Sequence, residues 1–117
     1  MTVEECYQEM GGNYKEISGR FPNDMFIKKF TLKFLNDPSF PDLVKHLKEK
    51  NVDEAFRAAH TLKGVAQNLG FSQLYSLSME ITEILRSGHL EGTEEILAKL
   101  QVQYNRTIHC IQKLSEE

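Results

Sequence analysis

The sequence predicts an all-α fold, an antiparallel up-and-down four-helix bundle with additional short N-terminal helices. Three observations lead there. Apolar residues recur at spacings of three and four in successive segments, as in Leu74, Leu77, Ile81 and Ile84, and this is the period of a helix face. Sustained period-two alternation of Val, Ile, Thr and aromatic residues, the mark of strands, is missing. Most of the seven glycines and three prolines fall at punctuation points between the periodic segments. The resulting connections are only a few residues long, which favours antiparallel neighbours.

The elements follow in order. Thr2 with Glu5 three residues later is a capping box that starts a first helix, and Gly11-Gly12 ends it. A short helical turn over Tyr14 to Ser18 precedes the break at Phe21-Pro22. A second long helix begins at Asn23-Asp24, carries Phe26, Ile27, Phe30, Phe34 and Leu35 as its core stripe, and stops at Asp37-Pro38. A third opens at Ser39, with Pro41 and Asp42 in its first turn, carries Leu43, Val44 and Leu47, and ends near Lys50. Asn51 caps a fourth, with Glu54 as reciprocal partner, and Gly70 closes it. Ser72 caps a fifth, ending at Ser87-Gly88, and Thr93 caps the last, with Leu97, Leu100, Tyr104, Ile108, Ile111 and Leu114 along one side. Segments 23–36, 51–70, 72–87 and 93–115 are the predicted bundle within a single domain over 1–117. The first helix and the 39–50 helix are shorter additions that cover one end.

Composition narrows the function classes. Of the 117 residues, 40% are hydrophobic and 26% charged, as in ordinary folded domains. Fourteen Lys and Arg against seventeen Asp and Glu give a net charge of −3, which disfavours a nucleic-acid partner, since phosphate neutralisation needs a basic excess. The N-terminus lacks the basic and apolar regions of a signal peptide, and no apolar run is long enough to span a bilayer. Cys6 and Cys110 make neither a disulfide framework nor a zinc-finger spacing and read as free thiols, with no metal or cofactor expected in this chain. His46, His89 and His109 read as surface or loop residues, and no Glu-x-x-His pair marks a di-metal bundle. The expected setting is cytoplasmic, the expected state a monomer, and the start at Met1 favours a stand-alone protein.

The informative stretch runs from Ala58 to Gly70. On a helical wheel with Val52 at zero, Ala55, Ala59, Leu62, Ala66 and Leu69 span an apolar arc from about 260° to 340°. Lys63, Gln67, His60 and Gly64 fall at about 20°, 60°, 80° and 120°, a contiguous patch at the edge of that arc. Gly64 is the telling residue, because glycine inside a helix costs about 1 kcal/mol relative to alanine. One turn after His60, it clears space beside the imidazole for another protein. Lys63 supplies a cation near the ring and Gln67 an amide. A phosphoryl group on His60 would carry about two negative charges at neutral pH, part of which a nearby ammonium offsets. Read singly, each has a plainer meaning: a structural histidine, a solvated lysine, a packing glycine.

Together, Ala59-His60-Thr61-Leu62-Lys63-Gly64 followed by Gly70 resembles the signature of histidine-containing phosphotransfer domains of two-component phosphorelays. Arg57 one turn before the histidine, the Leu69-Gly70 close and the Leu85-Arg86-Ser87-Gly88 helix ending fit as well, so that the resemblance runs from about Tyr14 to Leu114. Two departures stand out: Val65-Ala66 follows Gly64 where the family often has a very small pair, and only Ser76, Ser78 and Glu80 on the next helix are candidates to hold the second ring nitrogen.

The resemblance implies that His60 accepts a phosphoryl group from a receiver-domain phospho-aspartate and passes it to another receiver aspartate, with Nε2 attacking and Nδ1 held by a neighbour. It implies that Lys63 screens phosphate charge, Gly64 grants access and Gln67 offers a hydrogen bond. The implied partners are response-regulator receiver domains, a hybrid sensor histidine kinase, or both, with Mg²⁺ supplied by the receiver. No Gly-rich ATP loop is present, so the chain reads as a phosphocarrier and not an enzyme with its own ATP site. Two alternatives stand beside this: a phosphoacceptor served directly by a separate ATP-dependent kinase, and a helical adaptor that has lost transfer.

Overall fold

The structure is a computed structural model describing residues 1–117, with seven α-helices and no strand. Helix α1 spans Val3–Met10, and both halves of its capping box form: Glu5 N–H donates to Thr2 Oγ1 at 3.1 Å, and Thr2 N–H to Glu5 Oε1 at 2.8 Å. Helix α2 covers Tyr14–Arg20, capped by Asn13. Helix α3 covers Asp24–Lys33, capped by the Asn23 side chain, and tightens into a 3₁₀ turn at Phe34–Asn36. Helix α4 is Ser39–Lys48, whose first N–H donates to Asp37 Oδ1 at 2.9 Å. Helices α5, Val52–Asn68, α6, Ser72–Arg86, and α7, Thr93–Ser115, complete the chain. None is long and apolar enough to cross a membrane.

Three expected caps differ. Asn51 caps α5, accepting from Glu54 N–H, but the reciprocal bond is absent because Asn51 N–H is taken by the His46 carbonyl at 2.9 Å. Ser72 and Thr93 lie inside their helices. Phe71 precedes α6, its N–H bonded back to the Ala66 carbonyl at 2.9 Å. Gly92 precedes α7 at φ +87°, and the Thr93 hydroxyl turns back to the Leu90 carbonyl.

Helix α5 is central. It packs between α4 and α6, α6 packs on α7, and α1 and α3 lean on α7. The 39–50 segment is therefore a full neighbour of the central helix, whereas the 23–36 segment packs mainly away from it. The stripe on α3 explains the exchange. Ile27, Thr31 and Phe34 are buried, but Phe30 is half-buried against Phe21 and Phe26 is 43% exposed, so it is not core. Helix α4 instead buries Leu43 and Phe40, the latter stacked on Tyr104 of α7, and packs along α5, where Ala55, Ala58 and Ala59 are buried.

The C-terminal end of α5 is pinned from the far end of the chain. The fully buried Tyr7 hydroxyl donates to the Leu69 carbonyl at 2.6 Å and lies 3.1 Å from Thr31 Oγ1. Asn13 N–H donates to Gly70 O, and Gln73 N–H to Gly11 O, so the α1–α2 and α5–α6 turns are stitched together. Gly70 sits at φ +71°, and a Cβ there would lie 3.3 Å from both Asn13 O and Ile17 Cβ, so this turn requires glycine. Beside the same α1–α2 turn, Gln103 of α7 donates to the Met10 carbonyl at 2.6 Å. The Tyr7 and Asn13 bonds anchor the C-terminal end of α5, and the Gln103 bond ties α7 to α1.

Candidate functional site

The outer face of α5 carries all four residues singled out by spacing. Ala55, Ala58, Ala59, Leu62 and Ala66 are buried, and this turns His60 and Gln67 fully outward, with Lys63 and Gly64 half-exposed at the margin. The wheel puts His60 and Gly64 one turn apart on one face, and the burial pattern agrees. Leu69, expected in the apolar arc, is only half-buried, since the helix is already closing there.

Gly64 has no structural reason to be glycine. It is helical, its φ lies outside the left-handed range, and a Cβ built on it meets nothing within 4 Å. A packing role is thereby removed. The open volume lies one helical turn from the exposed His60 imidazole.

The charges around the face are unequal in their commitments. Arg57 pairs with Glu54 at 3.3 Å, Arg86 with Glu83 at 3.2 Å, and Arg20 with Glu16. Arg20 also donates to the Gln67 and Asn68 carbonyls at 2.8 and 3.2 Å, capping the end of α5. Lys63 enters none of the chain's ion pairs. It is the cation on this face whose charge is not already offset by a carboxylate.

None of the expected partners holds the His60 ring. The Ser76 hydroxyl bonds the Ser72 carbonyl at 3.1 Å, the buried Ser78 hydroxyl bonds the Leu74 carbonyl at 2.7 Å, and Glu80 is exposed. Short hydroxyls on a helix reach their own preceding turn more readily than a neighbouring helix. The ring instead stacks on Phe56, with centroids 5.9 Å apart and planes 15° from parallel. The Arg86 guanidinium carbon lies 5.0 Å from the centroid of that same Phe56 ring. Sequence reading missed Phe56, although its position four residues before His60 is the spacing at which helix side chains meet.

The family model described as Hpt domain matches residues 37–116, more than half of the chain and the whole run from α4 through α7. The chain belongs to the Hpt domain family. The all-α bundle is consistent with this family, whose role is phosphotransfer in two-component signalling. The matched stretch contains the entire outer face of α5 and leaves α1, α2 and α3 outside. No solved structure matches this Hpt chain.

The remaining histidines lie off that face. His46 on α4 is 3.2 Å from Glu49, and His89 and His109 are exposed elsewhere. Cys6 and Cys110 are free and buried between α1 and α7. Burial pushes the Cys6 thiol up to about 12, with Cys110 and Glu9 adding to the rise, so it is a packed hydrophobe and not a nucleophile.

Proposed function

We propose that His60 is the phosphoacceptor of a phosphorelay, taking a phosphoryl group from a receiver-domain aspartyl phosphate and passing it to the aspartate of a second receiver. The observation that carries this reading is the pairing of an exposed imidazole with a helical glycine one turn away whose missing side chain serves no contact within the chain. Imidazole is a competent nucleophile when neutral. In the forward step its ring nitrogen forms the N–P bond as the acyl O–P bond breaks, and the aspartate departs as carboxylate. The onward step is the reverse, with the second receiver's carboxylate attacking phosphorus.

Such transfer depends on positioning and charge stabilisation more than on covalent chemistry by the protein. Each part of the face has a role in that account. Gly64 admits the receiver to within reach of the ring. Lys63, unpaired in the free chain, offsets charge on the phosphoryl oxygens. The exposed Gln67 amide offers a hydrogen bond to the phosphate or to the partner's backbone. In this reading the receiver brings the Mg²⁺ of the step along with its aspartate.

Incubation with a phosphorylated receiver, and separately with a histidine kinase and ATP, tests the direction of flow. Label arriving from the phospho-receiver and discharging to a second receiver supports the relay. Label arriving only from the kinase assigns the chain as a kinase-served acceptor, and no label from either source assigns an inactive adaptor.

A further inference from the structure

The His60 ring reacts only if it presents one nitrogen in line with phosphorus, yet nothing on the neighbouring helix hydrogen-bonds it. The ring lies instead against Phe56. The two rings are 15° from parallel at a centroid separation of 5.9 Å, so Phe56 stands against the imidazole from the preceding turn of α5. Phe56 is half-buried where His60 is exposed, and is therefore the more firmly seated of the two. It is also in contact with a third group. Arg86, in the last turn of α6, lies with its guanidinium carbon 5.0 Å from the Phe56 centroid, and Glu83 fixes that guanidinium at 3.2 Å. Phe56, Arg86 and Leu85 border one cleft between the start of α5 and the end of α6.

We infer that Phe56, itself seated by Arg86, is a positioning residue that sets the orientation of the His60 ring for phosphoryl transfer. The inference rests on His60 being the phosphoacceptor. A planar stack suits this task. It restricts rotation of the imidazole about its side-chain bonds without occupying either ring nitrogen, so one nitrogen is free to attack and the other free to exchange its proton with water. A hydrogen-bonding neighbour would restrict the ring equally but would commit one nitrogen. The column also joins the acceptor helix to the end of α6.

The test compares wild type with Phe56→Leu, Phe56→Tyr and Arg86→Gln, using a phosphorylated receiver as donor and reading two quantities. The first is the single-turnover transfer rate at saturating receiver. The second is the mobility of the His60 ring, from carbon relaxation of the isotopically labelled histidine. An aromatic pair of this kind corresponds to roughly 2- to 10-fold in rate once lost. Phe56→Leu should slow saturated transfer by that factor, leave the receiver concentration for half-saturation near its wild-type value, and raise ring mobility. Phe56→Tyr, which keeps the stack, should restore both readouts, and Arg86→Gln should loosen the ring part-way. Circular dichroism and thermal melting establish that each variant is folded. If wild type is labelled at His60 and folded Phe56→Leu transfers at the wild-type rate or leaves ring mobility unchanged, positioning by Phe56 is wrong and the acceptor assignment stands. If wild-type His60 accepts no phosphoryl group, the assignment and the inference fall together.

Discussion

Replacing Gly64 should move stability and transfer in opposite directions. Glycine in a helix interior is destabilising by about 0.5–1 kcal/mol relative to alanine, because the unfolded chain is freer and no side chain covers the helix. A substitution realises that gain only where the new atoms meet no obstruction. At Gly64 a Cβ meets nothing within 4 Å and the backbone is ordinary helix, so Gly64→Ala should stabilise by about 0.5–1 kcal/mol. For a domain of this size that raises Tm by about 2–4 °C. Glutamine is also a good helix former, so Gly64→Gln should melt at or above wild type. Its longer side chain enters the space beside the imidazole, and displacement of the receiver by about 1 Å is enough to cost on the order of 100-fold in transfer. Thermal melting by circular dichroism and single-turnover transfer from a phospho-receiver measure the two effects on the same samples. A Gly64→Gln protein that transfers at the wild-type rate would refute the access role, and a Gly64→Ala protein that melts lower would refute the claim of open space.

Three further outcomes follow from the same structure. Lys63→Ala should slow transfer about fivefold, the loss of roughly 1 kcal/mol from an exposed charge, and the difference should shrink as salt is raised; equal rates at low salt would remove Lys63 from the step. Tyr7→Phe deletes a buried hydroxyl that donates to Leu69 O and lies against Thr31, and should cost about 1–2 kcal/mol in urea unfolding, an unchanged midpoint being the contrary result. Burial raises both Cys6 and Tyr7 to about 12, above their unfolded values of 9.0 and 10.0, so the unfolded chain releases these protons first. Stability should therefore hold up to pH 9 and fall progressively from pH 9 to 12, and a stability that stays level to pH 11 would contradict the burial of both groups.

Local signals in the sequence were reliable where the structure is local. The capping box at Thr2 and Glu5, the Asn23 and Asn51 caps, the Gly70 close and the alanine-rich inner face of α5 are all determined by residues within one or two turns of each other. Ser72 and Thr93 misled because Phe71 and Gly92 already make the turn into their helices, and a hydroxyl one position inside has only its own preceding carbonyls to bond. The partnership of α4 with α5 could not be read from periodicity, since α3 has the more aromatic stripe. That segment buries only Ile27, Thr31 and Phe34, against α1, α7 and Phe71, and leaves Phe26 outside. At the candidate site, the offsets of His60, Lys63, Gly64 and Gln67 were enough to place the four at the outer margin of α5. How the ring is held was not legible, because the Phe56–Arg86 contact joins residues thirty positions apart. The four-residue step from Phe56 to His60 was visible throughout, and its meaning appears only once the serines of α6 are seen to be occupied elsewhere.

The His60 imidazole is the group on which transfer depends, and locating the phosphoryl group tests its role most directly. After incubation with a phosphorylated receiver, fragmentation mass spectrometry at neutral pH should place a single acid-labile, base-stable phosphoryl group on His60. His60→Gln should carry none while remaining helical by circular dichroism. A phosphoryl group found on His46, His89 or His109, or retained by folded His60→Gln, would contradict the account.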